Sequence, residues 1–480
     1  MSGKLSVFEP KALFGYFEEI SAIPRGSGNE AGIAAYLVRF AEEHGLRYYH
    51  DALHNVVIYK AASCGFEDHP TVILQGHTDM VCEKISSSGH DFEKDGIELV
   101  VEDGWIRADG TTLGADNGTA VAMMLAVLAD DTLAHPALEC VFTVQEEIGL
   151  IGARGLDVGV LQGRILLNLD GGPDFTAVVS CAGGYHIDMR RQYATLLPRG
   201  RALRVEIGGL PGGHSGVEIQ QEYSNALKLA GRILYAARRA GEINLSEIKG
   251  GGKDNAIPRD SAFTIVVPAD RYEAVCAAME AARAEILDEI TAREPEASIE
   301  ICDASLPATM VELADSDAMI QLLLLAPHGV LATDVKNGGF VTSSVNLGIV
   351  TSDGAFRATF MARSSIDSLA QNTNEQLRVL AGLLGFRITL IDGYPGWKYA
   401  EVSPLRETLK RCAKEKFGRE LIVEQTHGGL ECGVLAGRMP GLDAASIGAH
   451  APGAHTPEEK LEAASLALNF DFLKAVLETL

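Results

Sequence analysis

Three apolar runs of strand length end in the same way. Thr71-Val-Ile-Leu-Gln-Gly runs into His77-Thr-Asp79, Leu138-Glu-Cys-Val-Phe-Thr-Val-Gln into Glu146-Glu147, and Arg164-Ile-Leu-Leu-Asn-Leu into Asp170. Runs of this kind belong to strands covered on both faces, as in parallel sheets. A fourth segment, Leu113-Gly-Ala-Asp116-Asn-Gly, is a turn feeding a helix over 119–128 that is apolar on most sides. Ligand sites of open parallel sheets lie outside the carboxyl ends of the strands. Three strand ends and one helix entrance therefore deliver a histidine and several carboxylates to one edge. Taken singly, each placement is more often an ordinary turn or solvated residue; four within the stretch 77–170 are hard to obtain by accident.

Carboxylates gathered without compensation repel one another and resist burial. A pair of divalent cations resolves both problems. Imidazole nitrogen and carboxylate oxygen are the donors expected of zinc, and of manganese or cobalt, in hydrolytic sites. Two such ions can share a carboxylate and activate a water between them. Asp79, two residues beyond His77, suits the acceptor of the imidazole's other N–H. Glu146 and Glu147 offer one ligand and one general base.

The rest of the chain fits an α/β plan. Helical spacing covers 10–20 and 29–45, with Asn29 as a cap, and strands are expected at 54–60, 71–76, 138–144 and 164–169. The reading is a mostly parallel-sheet catalytic domain. From 184 to 391 the pattern changes: strands at 202–208, 243–248, 261–267 and 298–304 interleave with helices at 219–239 and 269–292. A second set follows, with helix 313–326, strands 341–350 and 354–362, helix 367–384 and strand 386–391. Each set follows the split βαβ plan. Gly393, Pro395 and Gly396 mark a return point.

Size and charge limit the partners. A chain of 480 residues exceeds one ordinary core. A net charge of −24 with no basic block argues against nucleic acid and anionic membrane. The longest apolar run, Ala120 to Ala129, is too short for a membrane span, and no apolar signal core follows Lys4, so cytoplasmic residence is expected. The eight scattered cysteines read as reduced thiols, with Cys82 and Cys432 as buried bystanders.

The motifs His77-Thr-Asp79, Gly114-Ala-Asp116-Asn117-Gly118, Glu146-Glu147-Ile-Gly, Asn168-Leu-Asp170 and Gly453-Ala-His455-Thr-Pro-Glu-Glu resemble those of the two-zinc exopeptidases, which include aminoacylases, glutamate carboxypeptidases and short-peptide dipeptidases. Within that family the chain is most similar to the aminoacylhistidine (Xaa-His) dipeptidase branch, through Ile23-Pro-Arg-Gly-Ser-Gly-Asn-Glu, Cys181-Ala-Gly-Gly, Asp254-Asn-Ala-Ile-Pro, Tyr394-Pro-Gly-Trp and His427-Gly-Gly-Leu-Glu-Cys-Gly. The resemblance implies two zinc ions bridged by Asp116, one completed by His77 and Asp170, the other by Glu147 and His455. It implies Glu146 as general base, Asp79 as the residue orienting His77, and a cis bond between Asp116 and Asn117. It also implies His214 as oxyanion partner, Asn255 and backbone at Gly429 as substrate contacts, and Arg363 as the grip on the terminal carboxylate. One departure stands out: the branch has a serine and an acidic run after the aspartate, and this chain has Gly171-Gly172-Pro173-Asp174.

If His455 joins a site otherwise built before residue 171, the chain between must leave the core and return. Residues 1–183 and 392–480 are then one discontinuous catalytic domain, and 184–391 an inserted lid of two α/β halves. The expected reaction is hydrolysis of unblocked dipeptides by a monomer or homodimer, since the second half could mimic the partner lid through which dimeric relatives pair. Deacylation of N-acyl amino acids and tripeptide cleavage are the neighbouring alternatives. A non-catalytic metal-dependent binder is the reading from another class, and such a protein could dispense with Glu146.

Overall fold

A computed structural model describes residues 3–480, apart from the side chain of Asp392. Met1 and Ser2, which begin the N-terminal segment read above, lie outside the described residues, as does the Asp392 side chain at the expected start of the returning segment. The chain divides into two compact units, Met1–Cys181 with Trp397–Gln425 and Leu430–Leu480, and Ala182–Gly396 with Thr426–Gly429. Each unit has a hydrophobic core of its own, as independent domains require. Phe17, Leu74, Met124, Phe142 and Leu473 are buried in the first, and Leu234, Phe263, Met319 and Phe360 in the second.

The first unit is built on an eight-stranded sheet. Its spatial order is Arg47–His50, Val56–Lys60, Leu138–Thr143, Val72–His77, Ile165–Asn168, Asp443–Ser446, Thr176–Cys181 and Ile422–Thr426. The centre is parallel, with Leu74 opposite both Cys140 and Leu167, and Leu167 opposite Ala445. Antiparallel pairings flank it, between Arg47–His50 and Val56–Lys60, Val56–Lys60 and Leu138–Thr143, and Asp443–Ser446 and Thr176–Cys181. Val72–His77 and Leu138–Thr143 are buried along their whole length, which explains their unbroken apolar sequence. The expected strands are found within two residues of their bounds, and His77 is itself the last residue of its strand.

Several local expectations are corrected. Asn29 does not cap the second helix, which is Ala31–Glu43 and follows Glu30. The Asn29 side chain instead donates to the Glu93 carbonyl, while the Glu30 carboxylate accepts N–H groups of Gly28 and Gln145. The helix expected from 219 is Ala226–Ala240, because Asn225 caps it by accepting from Leu227 and Lys228 N–H, and only a short 3-10 turn precedes it. Cys82 is exposed, lying past the end of the buried strand, whereas Cys432 is buried. Among the described residues no helix is long and apolar enough to cross a membrane.

The second unit carries a nine-stranded antiparallel sheet. One half contains Arg201–Gly208, Asn244–Gly250, Ser261–Val267 and Ser298–Ala304, arranged in space as fourth, first, third, second. The other contains Gly183–Arg191, Phe340–Thr351, Phe356–Ser364 and Arg387–Tyr394, and repeats that arrangement, with Gly329–Asp334 added beside Phe340–Thr351. The halves join where Lys249 pairs Thr351 and Gly250 pairs Val350. The first strand of the later half, Gly183–Arg191, is separated from its partners by the entire earlier half.

Candidate active site

His77 ends a strand and Asp116 starts a helix, and a glycine lets them meet. A Cβ on Gly76 would run into Ala120 Cβ and Asn117 Oδ1, so only glycine allows this approach. Gly114, at φ +69°, makes the turn before Asp116. The Asp116–Asn117 peptide bond is cis. His77 Nε2 then lies 3.1 Å from Asp116 Oδ1 and 3.9 Å from Asp170 Oδ1. The second oxygen of Asp116 faces the other way, Oδ2 standing 3.3 Å from His455 Nε2, which is 3.0 Å from Glu147 Oε2.

The ligand-type atoms form three overlapping groups: His77, Asp116 and Asp170; His77, Glu146 and Glu147; and Asp116, Glu147 and His455. Within each group these atoms lie inside 4.8 Å of one another, close enough to hold a cation. Glu147 Oε1 is buried and has no hydrogen-bond partner among the described residues. A small cavity of about 150 Å³ opens beside Asp116, Asn117 and Asp170.

The electrostatics describe a surplus of negative charge. Burial favours the neutral imidazole at His77, yet hydrogen bonds to Asp116 and Asp79 outweigh it and hold the group well above its ordinary value. Contacts with Asp116 and Glu147 push His455 up to about 10. Burial, opposed by His77 and reinforced by Glu431 and Glu147, pushes Glu146 up to about 8. Asp170 is raised strongly by burial and then by the charge of Asp116. The same field would attract a divalent cation.

Asp79 reaches three segments. Its Oδ1 is 3.4 Å from His77 Nδ1 and accepts the Glu146 N–H at 3.0 Å. Its Oδ2 accepts the Glu147 N–H at 3.3 Å and the Ser27 hydroxyl at 2.8 Å. Asn117 Nδ2 donates to Asp170 Oδ1 at 3.1 Å. Asp174, in the loop that departs from the expected pattern, accepts hydrogen bonds from Ser465 and Asn469.

Two residues holding the site had no role in the sequence reading. Arg25, fully buried, donates to the carbonyls of Thr78 at 3.0 Å and Gly114 at 2.5 Å, joining the loops that carry Asp79 and Asp116. Glu459 accepts the N–H groups of Leu113, Gly114, Ala115 and Asp116. Both fall in segments quoted above, Arg25 between Pro24 and Gly26 and Glu459 as the second acid after His455, but the groups they hold are backbone, which no side-chain motif marks.

The second unit gathers the other singled-out residues. A Cβ on Gly216 would lie 2.9 Å from both Arg363 Cζ and His214 Cε1, so the two side chains flank one point. The Asn255 carbonyl accepts the Ser215 N–H at 2.8 Å, tying its loop to that of His214. Arg363 is 5 % exposed, donates to Tyr394 Oη at 3.2 Å, and has no carboxylate partner among the described residues. Burial, then the Arg363 charge, lowers the His214 pKa. A Cβ on Gly429 would meet the Tyr394 ring.

Residues 73–479 match the model of peptidase family M20/M25/M40. The cytosol non-specific dipeptidase of Escherichia coli is 33 % identical, the match covering 99 % of each chain. The crystal structure of aminoacylhistidine dipeptidase from Vibrio alginolyticus is 33 % identical at a TM-score of 0.93, covering 99 % of this chain and 98 % of that one. A tripeptidase structure from Staphylococcus aureus shares the fold at a TM-score of 0.55 and 16 % identity, covering 98 % of both.

Proposed function

The chain belongs to peptidase family M20/M25/M40, and from that premise we propose that it hydrolyses unblocked dipeptides, Xaa-His among them, with the help of two divalent cations, zinc by preference. The observation that carries this reading is Asp116: one carboxylate oxygen faces His77 and the other faces His455. His77 and Asp170 would hold one cation, Glu147 and His455 the other, and Asp116 both. The donor set of imidazole and carboxylate fits zinc, manganese or cobalt, and the unpartnered Glu147 Oε1 fits a missing positive partner. When bound, the cations would polarise the scissile carbonyl and acidify the attacking water.

The remaining chemistry falls to the chain. Glu146 takes the proton of the attacking water and returns it to the leaving amine. Asp79 steadies His77 and both glutamate backbones, so the base keeps its place. In this reading residues 1–183 and 392–480 are the catalytic domain and residues 184–391 an inserted lid. The lid's His214 donates to the oxyanion, Asn255 and the backbone at Gly429 position the peptide, and the Arg363 fork takes the free C-terminal carboxylate. A buried arginine without an acid of its own supports that last assignment. The name of the Escherichia coli relative supports a cytosolic location.

The test is turnover of Ala-His, Gly-Gly-Gly and N-acetyl-methionine after chelation and reloading with one metal at a time. The proposal expects Ala-His to be cleaved best, only after reloading. Preference for the tripeptide or the acylated amino acid would replace the substrate assignment, and full turnover after chelation would overturn the metal assignment.

A further inference from the structure

Glu431 is 1 % exposed at the start of helix Glu431–Arg438 in the first unit. One of its oxygens, Oε2, accepts the Thr143 hydroxyl at 2.6 Å and the Gln75 amide, while Oε1 is buried and has no hydrogen-bond partner among the described residues. Both donors favour the carboxylate, against the burial that raises its pKa to about 7. Among the described residues no lysine, arginine or histidine pairs with it in ion-pair contact. The charge of His77 favours its ionised form and that of Asp79 opposes it. Glu146 and Asp170 both register its charge.

The acid ends a polar layer one step beneath the proposed ligands. Gln75, Thr143, Asn168 and Ser446 stand on four adjacent strands and are all fully buried. Gln75 Oε1 accepts from the Asn168 amide at 2.6 Å, and Asn168 Oδ1 accepts the Asp170 N–H at 3.1 Å and the Ser446 hydroxyl. A continuous chain thus runs from Glu431 to the backbone of Asp170. Gln75 also precedes His77 by two residues on the same strand. A buried carboxylate added beneath a cluster already rich in acids raises the repulsion there, and a bound cation lowers it.

We infer that Glu431 is a positioning residue of the cation site: its charge strengthens cation binding on the His77–Asp170 side, and the Gln75–Asn168 chain fixes Asp170. This rests on the two-cation reading above. Outer residues of this kind change metal affinity by about 10–100-fold.

The experiment compares wild type, E431Q and E431D as full chains, freed of metal by chelation and titrated with Zn²⁺ against a chromogenic chelator, with melting temperatures taken before and after loading. E431Q keeps the shape and loses the charge. It should bind one of two equivalents about 10–100-fold more weakly, melt higher than wild type without metal, and gain less on loading. E431D keeps the charge and alters the shape, and should bind zinc more tightly than E431Q. Both equivalents bound by E431Q within about threefold of wild type, well short of that effect, would overturn the inference. So would E431D binding more weakly than E431Q, the order expected of a packing role. If E431Q does not fold, E431D decides: affinity within about tenfold of wild type supports the inference, and a larger loss overturns it. Wild type binding fewer than two equivalents would count against the function reading itself.

Discussion

Glu459 Oε1 accepts the backbone N–H of Asp116 at 3.3 Å, although 343 residues separate the two in the chain. The same carboxylate also takes the N–H groups of Leu113, Gly114 and Ala115. The turn that aims Asp116 is therefore held by an acid from the C-terminal segment that also carries His455.

Replacing Glu459 with alanine would leave those buried donors without their acceptor. An unsatisfied buried group costs about 1–3 kcal/mol, and water can relieve only some of them. The metal-free variant should lose at least about 2 kcal/mol of stability by urea unfolding. An unchanged unfolding midpoint would show that the turn holds its shape without the clamp.

Asp116 and Asp170 should differ in metal counting. Asp116→Ala should lower occupancy of both sites, because its two oxygens face the two groups. Asp170→Ala should empty mainly one, since it belongs only to the group with His77 and Asp116. Two full equivalents in purified Asp116→Ala would place the bridge elsewhere.

Arg363 and His214 separate by kinetics. Arg363→Ala should narrow the preference for a dipeptide acid over its amide, as loss of a carboxylate fork does. His214→Ala should lower kcat far more than it raises KM, because an oxyanion partner acts mainly in the transition state. Neither should release metal. Normal cleavage by both variants would remove the second unit from the reaction.

His427 gives a pH dependence of stability. Burial, then the Arg363 charge, depresses its pKa to about 3. The unfolded chain therefore binds a proton as pH falls through about 6.5, while the folded chain does not until about 3. The contribution is present in full above about 6.5 and lost as pH falls, amounting to about 2 kcal/mol by pH 5. Between pH 7.5 and 5 the wild type should lose more thermal stability than His427→Gln. Equal losses would show that His427 is protonated in the fold.

The site was legible in the sequence because each of its acids ends an apolar strand or opens an apolar helix, a pattern local enough to read. The parallel centre of the first sheet followed from the same unbroken runs. Arg25 and Glu459 escaped a role because what they hold is backbone, at Thr78, Gly114 and Asp116, and no pattern of side chains records that. The split βαβ order of the later half lacked its first strand. Gly183–Arg191 pairs Phe356–Ser364 only after the chain has completed the whole earlier half, a contact too distant for periodicity to reveal. Asn29 has the right chemistry for a cap, but the Glu93 carbonyl takes its side chain.

The measurement that bears most directly on the mechanism is turnover by Glu146→Gln at saturating metal, with bound metal counted in the same preparation. Glu146 lies beside the ligand-type atoms of His77 and Glu147, and its backbone is fixed on Asp79. As the base it should contribute about 10²–10⁴-fold to turnover. The variant should bind both metals and cleave Ala-His at no more than about a hundredth of the wild-type rate. Two bound metals with more than about a tenth of wild-type activity would contradict the assignment, because a group contributing so little cannot be moving the proton.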